Sequence, residues 1–169
     1  MSMKIRELSG KRDLETAMKL VFDNFTLSEK DFYKRPEFLY AKKSLLSYDV
    51  FNIDELQEYI HNSVVKVFAV YAENDMIAIS SLRLDDGKIL FMSFSSSKIG
   101  KIAGQMLVEH MAEQMENLPE KNLTLLSFVG QEKDLVSLGF IRINPSVFKF
   151  FGVKFIAMRY DFSQIDIER

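Results

Sequence analysis

The chain has 169 residues, 22 Lys and Arg against 24 Asp and Glu, a net charge of −2, and 47% hydrophobic and 27% charged residues. That balance fits a folded globular chain, disfavours disorder, and excludes a strongly basic nucleic-acid binder. With no cysteine, disulfides, thiolate-bound metal and a thiol nucleophile are excluded, and two histidines disfavour a multi-histidine metal site. No apolar run approaches the ~20 residues of a membrane span and no signal-like segment is seen, so no membrane partner and a cytoplasmic location are expected. The 15 Phe, 9 Met and absent Trp point to an adaptable apolar core, or to a groove lined with such side chains. Repeats, low-complexity stretches and linkers are lacking, so a single domain over 1–169 is expected.

In chain order, Met3 to Leu8 is a short strand candidate. Leu14, Ala17, Met18, Val21 and Phe22 form one helical stripe over Asp13 to Phe25. Residues 26–51 mix aromatics with charges and read as irregular, the kind of long segment that is functional or poorly ordered. Asn52 offers an N-cap with Glu55 three residues on, and Ile53, Leu56, Tyr59 and Ile60 make the next helix face. Val65 to Ala72 and Met76 to Leu84 read as paired strands around a turn at Glu73-Asn74-Asp75. Asp85-Asp86-Gly87 is a second tight turn, leading into a strand from Lys88 to Phe94 and completing an antiparallel meander.

A long helix follows Ser95 to Ser97, with Ile99, Ile102, Ala103, Met106, Leu107, Met111 and Met115 as its apolar stripe and Pro119 as its end. Leu123 to Phe128 is a strand, parallel to 88–94 because a helix joins them. Gln131 to Leu138 is a short helix stopped by Gly139, and Phe140 to Ile143 and Lys154 to Phe162 close the chain as paired strands. The order β-α-α-β-β-β-α-β-α-β-β predicts a mixed α/β sheet whose centre changes from antiparallel to parallel.

One place gathers the chemistry. The strand at 88–94 runs through three serines into the longest helix, whose first N–H groups and positive dipole end suit a phosphate, with Lys98 and Lys101 adding charge. A ligand slot is expected where this strand leaves its parallel neighbour, bounded by Met92, Ser93 and Phe94 on one side and Ser127 and Phe128 on the other.

Several strings resemble the GNAT superfamily of acetyl-CoA-dependent N-acetyltransferases over nearly the whole chain. "MKIRELSGKRDLETAMKLVFDNF" is similar to that family's first strand and helix, "VFAVYAENDMIAISSLRL" to its second and third strands, and "ILFMSFSSSKIGKIAGQMLVEHM" to its acetyl-CoA strand and pyrophosphate loop. "LVSLGFIRIN" resembles the helix end and Gly-Phe turn, and "GVKFIAMRYDF" the closing strand. The resemblance implies a GNAT-like mixed sheet, with antiparallel N-terminal strands and a parallel, splayed central pair flanked by helices. It also implies acetyl-CoA as co-substrate, an amine as acceptor, and no metal.

The family's loop pattern Q/R-x-x-G-x-G/A falls on Lys98, Ile99, Gly100, Lys101, Ile102 and Ala103, with Lys98 in place of Gln or Arg and Lys101 in place of Gly. By the same resemblance, Met92, Ser93 and Phe94 would bind the pantetheine arm as an added strand. Many members place a proton-donating Tyr at the position held here by Leu135, and an Asn near the position of Leu126 or Ser127. Strand 88–94 carries no acidic residue to act as base. Transfer would then run with Ser127 or water as acid, or catalysis has been lost and a CoA-binding or interaction domain remains.

His61 and His110 read as surface or partly packed side chains, and Asp85 and Asp86 as a turn. Lys30, Lys34, Arg35, Lys42 and Lys43 are interleaved with acids and make no nucleic-acid patch. In the resembled family the segment after the first helix shapes the acceptor pocket, which Phe32, Tyr33, Phe38 and Tyr40 would line. Phe148 to Phe155, rich in Phe, reads as core or, if exposed, as a homodimer face.

Overall fold

The computed structural model describes residues 2–23, 53–118, 121–150 and 153–163, with only the backbone of Phe22, Asp23, Phe150 and Val153. The expected irregular segment 26–51, the Asn52 cap and Pro119 lie outside these residues.

Strands β1 (Met3–Leu8), β2 (Val65–Ala72) and β3 (Asp75–Arg83) form an antiparallel sheet. Strand β2 is central in it and is buried on both faces, which is why its sequence is nearly all apolar. Its side chains alternate between two cores. Phe68 and Val70 pack with Leu107, Val108 and Met111 of helix α3 (Lys98–Met115). Val65, Val67 and Ala69 pack with Leu14, Ala17 and Met18 of α1 (Lys11–Asp23) and Leu56 of α2 (Ile53–His61). Period-2 alternation thus places α3 on one face and α1 with α2 on the other.

The 88–94 segment departs from expectation. It is not one strand of a meander but two short ones. Strand β4 (Lys88–Ile89) pairs in parallel with β6 (Thr124–Phe128), while β5 (Met92–Phe94) pairs antiparallel with β3. The turn before it forms as read: Gly87 has φ +71, its N–H donates to the Arg83 carbonyl, and its backbone lies against Asn122.

The second sheet has the order β4-β6-β9-β7, with β7 at Phe140–Arg142 and β9 at Val153–Tyr160. Between β6 and β7 lie a 3-10 turn (Val129–Gln131) and α4 (Glu132–Ser137), ended by Gly139 at φ +98. Strand β8 (Phe148–Phe150), which the sequence reading missed, forms a hairpin with β9 along the edge that β7 also uses. Phe148 is 39% exposed, whereas Phe155 is buried with its ring 4.7 Å from that of Phe128.

The stripe expected on α3 is rotated in the structure. Ile99 and Ile102 are 41% and 43% exposed, and the buried face runs through Gly100, Ala103, Gly104, Leu107, Val108, Met111, Ala112 and Met115. Small residues win the buried side because the helix backbone comes close to β5. A Cβ at Gly104 would stand 3.1 Å from the Phe94 ring.

Candidate functional site

The expected slot begins at the break in 88–94. Ile89 pairs with Leu125, but beyond it β6 continues on β9 while β5 follows β3. The two segments that were parallel neighbours diverge, leaving an opening between Met92–Phe94 and Leu126–Phe128. The Ser81 N–H donates to the Phe91 carbonyl at 3.0 Å. Strand alternation therefore turns the backbone groups of Ser93 toward β3 and those of Met92 and Phe94 toward the opening. Among the described residues no strand pairs on that side of β5.

Three residues, Ser95 to Ser97, separate helix α3 from β5. Ser97 is its N-cap and its hydroxyl accepts from the Gly100 N–H at 3.1 Å, while the Ser97 carbonyl takes the Lys101 N–H. The N–H groups of Lys98 and Ile99, the first two in the helix, have no acceptor within it by geometry. Gly100 is required here, since a Cβ on it would stand 2.1 Å from the Ser95 Oγ and 2.2 Å from the Ser95 carbonyl oxygen. Ser95 and Ser97 hydroxyls are 2.6 Å apart. Ala103 is fully buried on the same helix face as Gly100, so it carries packing.

Two residues, one at this mouth and one at the strand break below it, were not singled out from the sequence. Asp134 of α4 accepts a hydrogen bond from Ser96 Oγ at 2.9 Å and pairs with Lys101 Nζ at 3.8 Å. The charge of Lys101, expected to face a phosphate, is thus turned to a carboxylate in its own fold. Lys98 is exposed. The second residue is Ser81, whose hydroxyl meets the backbone of Leu90 and Phe91. Asp134 lies 38 residues from Ser96, and in sequence it reads as an ordinary first-turn acid of a short helix. No local signal marks either residue.

The remaining candidates fall as follows. Leu135 is buried and belongs to the core that holds α3. Ser127 is also buried; its hydroxyl donates to the Phe128 carbonyl at 3.0 Å and lies 3.4 Å from Gln131 Oε1. His110 packs edge-on against Phe68 with ring centroids 4.7 Å apart, and His61 is exposed. Asp86 holds the turn through Arg83 and the Lys88 N–H, and Asp85 lies 3.4 Å from the same guanidinium. The aromatics Phe32, Tyr33, Phe38 and Tyr40 lie outside the described residues. Among those described, no group of three His, Cys, Asp or Glu is placed to hold a metal ion, and no helix is long and apolar enough to cross a membrane.

An antiparallel sheet splays from a second sheet, and a long helix springs from the splayed strand. Solved structures share this arrangement. The chain is similar in fold to a spermidine N-acetyltransferase chimera of Vibrio cholerae SpeG and hSSAT, at 19% identity over all of both chains with a TM-score of 0.61. It is similar to a putative GNAT-family acetyltransferase of Desulfovibrio desulfuricans, at 13% identity over 95% of this chain and 99% of that one, with a TM-score of 0.62. It is similar also to the PaiA N-acetyltransferase of Thermoplasma acidophilum in complex with coenzyme A, at 17% identity over 96% and 100%, with a TM-score of 0.58. No protein-family model and no curated protein matches the chain in sequence. The protein has the GNAT acetyltransferase fold, in a form divergent in sequence, as the resemblance implied.

Proposed function

We propose that the protein is an acetyl-CoA-dependent N-acetyltransferase, a single domain over 1–169, acting on a primary amine of a small molecule or peptide. The observation that carries this reading is the opening between β5 and β6, with backbone groups of Met92 and Phe94 turned into it and the α3 N-terminus at its mouth. An extended pantetheine arm would pair with β5 as an added strand. The pyrophosphate would meet the N–H groups of Lys98 and Ile99 with the Lys98 ammonium beside them. Gly100 serves by letting the Ser95–Ser97 loop close onto the helix, and its own N–H is already held by Ser97.

In the reaction the amine nitrogen attacks the thioester carbonyl carbon, the C–S bond breaks, and the thiolate leaves. The nitrogen loses a proton to water and the thiolate gains one. Positioning the two reactants supplies most of the acceleration such a site needs. Leu135 has no proton to give. Ser127 is the side-chain candidate for the thiolate's proton, but its hydroxyl is turned to Phe128, which favours water as donor.

A second reading has an observation of its own. Leu135 is core and Asp134 occupies Lys101, which favours a CoA-binding or interaction domain that no longer catalyses. Calorimetric titration with acetyl-CoA, followed by thiol release across a panel of polyamines, amino acid amides and peptides, separates the two. Micromolar binding with thiol release supports the enzyme. Binding without release across the panel supports the second reading. Absence of binding at millimolar acetyl-CoA removes the CoA site from both.

A further inference from the structure

We infer that Ser81 is the positioning residue that breaks the 88–94 strand and so holds the cleft open. The inference deepens the acetyl-CoA reading and rests on it for its functional consequence. In an unbroken antiparallel ladder Ser81 and Phe91 would exchange both backbone bonds. One of them is present, from the Ser81 N–H to the Phe91 carbonyl at 3.0 Å. The other is replaced. The Phe91 N–H donates to the Ser81 hydroxyl at 2.9 Å, and the Leu90 N–H donates to the same oxygen at 3.1 Å. The Ser81 carbonyl, released from the ladder, lies 3.3 Å from the Ser80 hydroxyl.

Leu90 and Phe91 are both buried, so their N–H groups could not turn to water instead. One fully buried hydroxyl thus takes two amides that neither sheet can serve. With it in place, the chain below the break can pair with β6 and the chain above it with β3. Removing it leaves two buried donors unpartnered. The segment's easiest escape is to slide back into register with one neighbour, which closes the opening or skews Met92 and Phe94 out of it.

Hydrogen exchange read residue by residue by NMR, together with acetyl-CoA titration, tests this on the wild type, Ser81→Ala, Ser81→Thr and Ser80→Ala. The Leu90 and Phe91 amides should be among the slowly exchanging ones in the wild type, and fast exchange there would overturn the inference even if no variant folds. In Ser81→Ala these two should exchange at least about tenfold faster while β2 amides hold. Ser80→Ala removes an equally buried hydroxyl to which no amide donates, and should leave them slow. The dissociation constant for acetyl-CoA should rise about tenfold in Ser81→Ala and recover in Ser81→Thr. Equal loosening in Ser80→Ala and Ser81→Ala would reduce Ser81 to ordinary core packing and sink the idea. If the wild type binds no acetyl-CoA, the functional reading falls while the exchange arm still decides the brace.

Discussion

Asp134 holds two groups that an incoming pyrophosphate would also claim, the Ser96 hydroxyl and the Lys101 ammonium. Its carboxylate is an internal anion at the mouth of the proposed phosphate site, so binding there would have to displace it or tolerate its charge. Asp134→Asn is expected to tighten acetyl-CoA by about threefold to tenfold in calorimetry, the scale of one partly exposed charge. Lys98→Glu should loosen it several-fold, and unchanged affinity in both variants would place the phosphates elsewhere. Asp86 sets a separate, pH-dependent expectation. The hydrogen bond from Arg83 is the chief cause holding its carboxyl below the usual carboxylate value of 3.8, with partial burial opposing and the Lys88 N–H adding to it. A depressed folded value contributes stability above the unfolded pKa and loses it as pH falls through the folded one. Asp86→Asn should therefore cost about 0.5–1 kcal/mol in urea unfolding at pH 7 and progressively less as pH falls below the usual carboxylate value toward about pH 2. A cost that stays the same at both pH values would contradict the ion-pair account.

At the scale of elements, the junction of β5 and α3 is set by close approach. A Cβ at Gly100 meets the Ser95 backbone carbonyl as well as the Ser95 hydroxyl, so turning the side chain away is not enough and the loop itself must move. Gly100→Ala is expected to destabilise by about 1–3 kcal/mol and to weaken acetyl-CoA binding with it. Thermal unfolding and titration of one sample would check both. Helix α4 makes a different point. Leu135 is packed with Leu138 and Phe140 against α3, so a phenol placed there has to force its way into filled space. Leu135→Tyr should lower stability by about 1–3 kcal/mol without raising the rate of thiol release. A variant that is stable and faster would show that the missing acid alone limits this chain. Both elements were visible in sequence as helices. The exposed Ile99 and Ile102 were misread, because periodicity reports where apolar residues lie and not how close a neighbouring backbone comes. Gly100 and Gly104 mark the buried face only once β5 is in place.

For the whole molecule, the first sheet separates two cores that share no side chain among the described residues. One joins α3 to the β2–β3 face and to β6, β7 and β9, and the other joins α1 and α2 to the opposite face. The first spans both sheets, so it fixes the angle at which β5 leaves β6. Leu107→Ala, at a fully buried position in that core, should cost about 2–5 kcal/mol. It should also weaken acetyl-CoA more than Leu14→Ala, which empties the other core at similar expense. Chemical unfolding paired with titration of both variants would check this, and equal losses of affinity would show that sheet splay is not set by the first core.

Much of this architecture was legible in the amino-acid order. The apolar runs of β1, β2 and β3 were legible nearly to the residue, helical spacing marked α1 and α3, and Gly87 and Gly139 marked their turns, because each of these signals is local. The parallel relation of β4 to β6 was legible too, since a connecting helix of that length permits little else. Tertiary structure alone decided the break at Leu90 and Phe91, the hairpin of β8, and the pairing of Lys101 with Asp134. A strand reads the same in sequence whether it keeps one neighbour or changes partner halfway. The groups that settle the choice, Ser81 for the backbone and Asp134 for the charge, sit 9 and 33 residues from the atoms they meet at Leu90 and Lys101, and only folding brings them there.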